Sequence, residues 1–150
     1  MPEHDVLCVP NVMLPLRDGV ALATDLYFPA TGCERSPGTF PCLLIRTPYD
    51  KTGSRGCGEF YARHGYVFAA QDVRGRYASP GEFYGFMNEG VDGYDSVEWL
   101  AAQPWCDGKV GTLGSSYCAA VQSALASLAP PHLAAMRSEE RRVGKECRSR

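Results

Sequence analysis

The sequence predicts an α/β protein whose sheet opens with an antiparallel hairpin and continues as parallel strands joined by crossover helices. Residues 11–29 (NVMLPLRDGVALATDLYFP) hold two apolar, β-prone stretches about Asp18-Gly19, a dipeptide that takes the positive φ angles of a tight hairpin turn. Residues 40–46 (FPCLLIR) form a compact apolar run of the kind that fills a strand buried on both faces, and residues 66–73 (YVFAAQDV) are a second candidate for such a strand. The segments between the later strands are too long for hairpins, so parallel pairing through crossovers follows.

In chain order, the turn formers of residues 30–39 separate the hairpin from the first buried run, and a loop, TPYDKTGSRGCGE, follows that run. Residues 59–64 (EFYARH) predict a short helix ending at Gly65, and residues 74–90 (RGRYASPGEFYGFMNEG) a long surface loop. Over residues 91–103, Val91, Tyr94, Val97, Leu100 and Ala101 share one helical stripe. Asp92, Asp95 and Glu98 lie off it, and acidic residues early in a helix complement its positive dipole end, so they read as a solvated face rather than a metal site. Residues 109–113 (KVGTL) predict a short strand, residues 117–128 an Ala-rich helix stopped by Pro130-Pro131, and residues 133–136 the start of one more strand. Ligands of such sheets sit beyond the carboxyl ends of the strands, where the TPYDK loop and the loop after Leu113 both fall.

With 150 residues, 45% hydrophobic and 21% charged, the composition is that of a soluble globular protein of one domain. The formal charge of −2 hides an asymmetry: residues 137–150 carry 6 of the 15 basic residues and 3 of the 17 acidic ones, leaving −5 on residues 1–136. An acidic body argues against a nucleic-acid groove. The seven cysteines are odd in number and none lie at CxxC spacing, which suggests neither zinc nor a disulfide framework but free thiols in a reducing compartment. The N-terminus carries acidic residues where a signal peptide has positive charge, and no apolar run approaches the roughly 18 residues of a membrane span, so a cytoplasmic location without membrane attachment is expected.

The chemistry-bearing junction is KVGTLGSSYCAA (109–120), which runs from a strand through small residues into a helix, with Gly114 two positions before Ser116. A serine on so sharp a turn projects its hydroxyl into the cleft, and the helix start behind it supplies unpaired N–H groups and a positive dipole end. Cys118 stands where the common GxSxG pattern has its second Gly, with Ala119 as the next small residue, so the bare pattern also fits a structural turn serine. Ser115 lacks a glycine two positions before it, which favours Ser116.

The series LRDGVALATDLYFP, LLIRTPYDK, HGYVFAAQDVRGRYASPGEF, DGYDSVEWLAAQPWCDGKVGTLGSSY and PPHLAAM resembles, in order and spacing, the start of the Xaa-Pro dipeptidyl-peptidase-like hydrolases, the CocE/NonD group. The resemblance implies the N-terminal part of an α/β-hydrolase fold, in a family that hydrolyses esters or amides through an acyl-serine. By the same resemblance Ser116 matches the nucleophile, and Tyr117 the residue whose backbone N–H helps hold the oxyanion. Tyr49 matches the tyrosine whose phenol is the second oxyanion donor. Gly114 and Ala119 form the elbow backbone, Ala119 replacing the family's usual glycine. Asp72, Arg74 and Gly75 match a DVRG stretch expected to hold loops by hydrogen bonds. No metal or organic cofactor is implied, and the expected partner is a small ester, amide or short peptide.

The triad of such a hydrolase runs Ser, Asp or Glu, then His along the chain. No Asp follows Ser116, the downstream His132 reads as a loop histidine, and His4 and His64 fall in a loose terminus and at a helix end. The chain therefore reads as residues 1–136 of a partial catalytic domain, inactive alone, followed by a tail, residues 137–150, that resembles translated sequencing-adapter read-through. A non-catalytic hydrolase-fold binding module and a general carboxylesterase are the alternative readings. A sheet lacking later strands would leave an open edge, so the 150-residue polypeptide expressed alone is expected to be aggregation-prone or partly molten, and a sharp cooperative melt of soluble monomer would contradict this.

Overall fold

The computed structural model of the protein describes residues 4–81, 89–114, 122, 126 and 128–138. Strands β1 (Asp5–Pro15) and β2 (Ala21–Thr31) form the hairpin, β3 (Glu34–Arg35) is a short addition to β2, and β4 (Phe40–Thr47) begins the parallel part. A 3-10 turn (Lys51–Ser54) and helix α1 (Arg55–Arg63) lead to β5 (Val67–Asp72), helix α2 (Glu89–Ala101) to β6 (Cys106–Gly114), and β7 (Leu133–Ser138) closes the described chain. The strand order is β1-β2-β5-β4-β6-β7, antiparallel at β1/β2 and β2/β5 and parallel from β5 to β7.

The step from β4 to β5 and the step from β5 to β6 run in opposite directions along the sheet, so two right-handed crossovers place α1 and α2 on opposite faces. On the α2 face, Val97 and Leu100 pack with Leu14, Leu22, Leu44 and Val67, while Phe28 meets Trp105 edge to face at 5.1 Å. On the α1 face, Ala62 packs with Tyr27, Phe68 and Leu113, and Tyr61 stacks on Phe68 at 5.7 Å. Farther along that face, Leu43, Tyr61, Tyr66, Leu113, Ala135 and Met136 line a hollow of about 180 Å³.

The two buried runs and the hairpin lie where the sequence places them, but several details differ. The hairpin starts at Asp5, because β1 continues through a bulge between Val9 and Val12 that breaks its alternation. The turn-rich segment of residues 30–39 contains β3. Helix α1 begins at Arg55, inside the expected loop, and its Gly58 is a packing device: a Cβ there would lie 2.5 Å from the Tyr27 ring. Finally, β7 runs from Leu133 through Ser138, two residues beyond the 133–136 expected to begin it.

Gly58→Ala forces the Tyr27 ring out of a closed core, and overpacking of this kind costs about 1 to 3 kcal/mol. Denaturant melts of the Gly58→Ala protein are expected to show that loss; an unchanged midpoint would contradict the close packing of α1 on β2.

Candidate active site

The carboxyl ends of β4, β5 and β6 carry three loops, and the first is the most tightly built. At the end of β4 the carbonyl of Thr47 accepts the Val73 N–H at 3.1 Å, and the Thr47 hydroxyl accepts the Tyr49 N–H at 2.9 Å. The Arg76 guanidinium donates to the Pro48 carbonyl at 3.1 Å. Asp50 sits at φ 79°, where non-glycine residues are strained, and its carboxylate compensates by accepting the Thr52 N–H and hydroxyl at 3.1 and 2.9 Å. Those bonds hold the Asp50 carboxyl below the usual aspartate range. Tyr49 thus stands on a backbone fixed on both sides, with 58% of its surface exposed.

Beneath it, on the α1 face, the Lys51 ammonium is buried between Asp25 Oδ1 at 3.1 Å and Asp72 Oδ2 at 3.7 Å. Asp72 Oδ1 accepts the Lys51 N–H at 2.8 Å and Oδ2 the Ala78 N–H at 3.2 Å. Burial pushes the Asp72 carboxyl up, against the downward pull of those amides and of the lysine. On the α2 face Arg46, 2% exposed, donates to Gln71 Oε1 at 2.7 Å, which also accepts the Ser96 hydroxyl. Buried polar networks therefore brace the sheet on both sides below the loops.

The second loop follows β5. Arg74 clasps Asp92 of α2 through two bonds of 2.9 and 2.8 Å and reaches Asp18 of the hairpin turn at 2.9 Å. Gly75 turns the chain at φ 76°, its N–H donating to the Pro80 carbonyl at 2.9 Å. Asp92 is 1% exposed. Asp95 takes the Arg17 backbone N–H and guanidinium at 3.0 and 2.7 Å, and Glu98 takes the His132 ring at 2.7 Å. Asp92, Asp95 and Glu98 are thus bonded to three separate segments, not a solvated face, because the fold brings each a distant partner that spacing along the helix cannot reveal. Val91 is correspondingly 41% exposed, and the buried stripe runs instead through Gly93, Ser96, Val97 and Leu100. Among the described residues no cluster of His, Cys, Asp and Glu could hold a metal.

The third loop begins at Gly114, the last residue of β6, whose φ of 144° is one that an L side chain rarely adopts. The next residues, Ser115, Ser116, Tyr117, Cys118 and Ala119, fall outside the described residues. Farther on, the buried Gln122 returns to the strand: its Oε1 accepts the Thr112 hydroxyl at 2.9 Å and its amide reaches the Gly114 carbonyl at 3.4 Å. Sequence reasoning assigned no role to Gln122, Lys51, Asp25 or Arg46. For Lys51 the signal was its place in the TPYDK segment, two residues after Tyr49.

All three histidines lie at the opposite edge of the sheet. His132 immediately precedes β7 and His64 ends α1 just before β5. His4, far from loose, is held by its N–H to the Arg63 carbonyl at 2.9 Å and by an edge contact with Phe40 at the start of β4. Among the described cysteines Cys57 departs from the expected free thiols: it is disulfide-bonded, a pairing that depends on the fold and leaves no trace in the spacing, whereas Cys8, Cys33, Cys42 and Cys106 are free. Among the described residues no helix is long and apolar enough to cross a membrane.

Comparison with known proteins agrees with this arrangement. Residues 18–144 match the family model of the X-Pro dipeptidyl-peptidase (S15 family). The chain is 44% identical over 119 residues to the cocaine esterase of Rhodococcus sp. (strain MB1 Bresler), covering 75% of this chain and 20% of that protein. A CocE/NonD family hydrolase from Staphylococcus aureus superposes with a TM-score of 0.74 at 29% identity, over 86% of this chain and 26% of its own. An α-amino acid ester hydrolase superposes with a TM-score of 0.77 at 27% identity, over 89% and 25%. The chain spans about a fifth of the length of the curated relatives it matches. Its mixed sheet with α1 and α2 on opposite faces is the N-terminal portion of an α/β-hydrolase fold, and the chain belongs to the X-Pro dipeptidyl-peptidase (S15) family.

Proposed function

We propose that the full-length protein containing this chain is a serine hydrolase that cleaves an ester or amide bond of a small molecule or short peptide through an acyl-serine at Ser116. The observation that carries the reading is the Tyr49 loop, a phenol on a rigid backbone at the same carboxyl edge from which β6 exits at Gly114, two residues before that serine. The Ser116 oxygen attacks the substrate carbonyl carbon, the carbonyl π bond opens onto oxygen, and the Tyr49 hydroxyl and the Tyr117 N–H donate to that oxyanion. The intermediate collapses by expelling the alcohol or amine, and water then releases the acid and restores the serine. Each such donor stabilises the transition state by roughly 3 to 4 kcal/mol.

The proton acceptor is assigned to later loops of the full-length protein. His4, His64 and His132 lie at the far edge of the sheet, and the His132 ring is engaged by Glu98. The placement of these histidines also favours a second reading, a hydrolase-fold module that binds its ligand without cleaving it. A fluorophosphonate probe separates the two. The hydrolase reading expects a stoichiometric adduct on the full-length protein, mapped by mass spectrometry to the peptide containing Ser116; a binding module gives none, and an adduct on another serine rejects the assignment.

A further inference from the structure

Lys51 stands two residues after Tyr49, its side chain 5% exposed between two carboxylates that are themselves fixed by other segments. Asp25 Oδ1 accepts the N–H of Asn11 at the β1 bulge at 2.9 Å, and Asp72 Oδ2 accepts the Ala78 N–H in the loop after β5 at 3.2 Å. A buried ion cluster adds little net stability, because stripping water from its charges offsets their attraction, but it does fix geometry. Here the fixed object is the main chain. Lys51 is held at both ends, its N–H by Asp72 Oδ1 at 2.8 Å and its ammonium by Asp25 and Asp72. Between this anchor and Tyr49 lies only Asp50, in its left-handed conformation. Tyr49, 58% exposed, is carried on that backbone.

We infer that Lys51 is a positioning residue for Tyr49: the Asp25–Lys51–Asp72 cluster locks the loop so that the phenol is already in place where the oxyanion develops. The inference rests on the reading of Tyr49 as an oxyanion donor. It accounts for a lysine where an apolar side chain would fill the space without the cost of burying charge, and it adds a two-point anchor beside the strained Asp50, whose own carboxylate is bonded to Thr52.

The test is a double-mutant comparison in the full-length enzyme, with kcat and KM measured on a p-nitrophenyl ester. Tyr49→Phe alone reads the oxyanion assignment. Lys51→Met is expected to lower kcat by about 10- to 100-fold with KM within about threefold, the size of loss that follows a displaced catalytic group. In the Tyr49→Phe background the same substitution is expected to change kcat by less than about threefold, because there is no phenol left to position. Asp25→Asn, which keeps the shape and an acceptor for Asn11, loosens the anchor more gently. It should repeat the pattern at smaller amplitude if Lys51→Met does not fold. Equal losses in the presence and absence of the Tyr49 hydroxyl, or unchanged kcat in folded Lys51→Met, overturn the positioning role while leaving the oxyanion reading intact. An unchanged kcat in Tyr49→Phe overturns both.

Discussion

Ser116→Ala in the full-length protein is expected to lower kcat on an ester substrate on the order of 10⁶-fold and to abolish fluorophosphonate labelling. The effect is this large because the covalent route is lost altogether, leaving only the stabilisation that the oxyanion donors give to attack by water. The substitution removes one oxygen and exchanges one L side chain for a smaller one. The thermal midpoint should therefore stay within a few degrees of the parent. A variant keeping a tenth or more of the parental kcat would show that the nucleophile lies elsewhere.

Tyr49→Phe is the second large effect, a loss of about 10²- to 10³-fold in kcat with KM nearly unchanged. The phenol oxygen bonds more strongly to a full negative charge than to a ground-state carbonyl, so its removal falls on the transition state and spares substrate binding. The loop itself should survive, because its bonds come from the Tyr49 N–H to Thr47, from Arg76 to Pro48 and from Lys51 to Asp72, none of which uses the phenol. Steady-state kinetics on the purified variant decide it. A rise in KM at constant kcat would make Tyr49 a wall of the binding cleft instead of an oxyanion donor.

The sheet was legible in the sequence because strands buried on both faces are mostly apolar, as residues 40–45 and 66–70 are, and because Asp18-Gly19 marks its hairpin chemically. What escaped were features created by register. Asp25 reaches Lys51 because β2 lies antiparallel against β5, setting Asp25 opposite Ala70 near the strand end that carries Asp72. A lysine in a polar loop reads as solvated until that pairing is known. Arg17 and Asp95 are 78 residues apart, and the sequence could show the charges but not their meeting. Helix α1 was drawn too short for a related reason: glycines near its start argue against a helix locally, and the Tyr27 ring that requires Gly58 belongs to another element.

The carboxylates of α2 reach the hairpin turn through Arg17, the loop after β5 through Arg74, and the approach to β7 through His132. One helix is thereby a common tether for parts of the chain that share no sequence neighbourhood. If α2 lifts from the sheet, all three lose their attachment in the same event, so amide exchange in the hairpin turn, the post-β5 loop and the β7 approach should share one opening free energy with the helix itself. The β5 exit loop that helps brace Tyr49 would open on the same clock as a hairpin at the other end of the sequence.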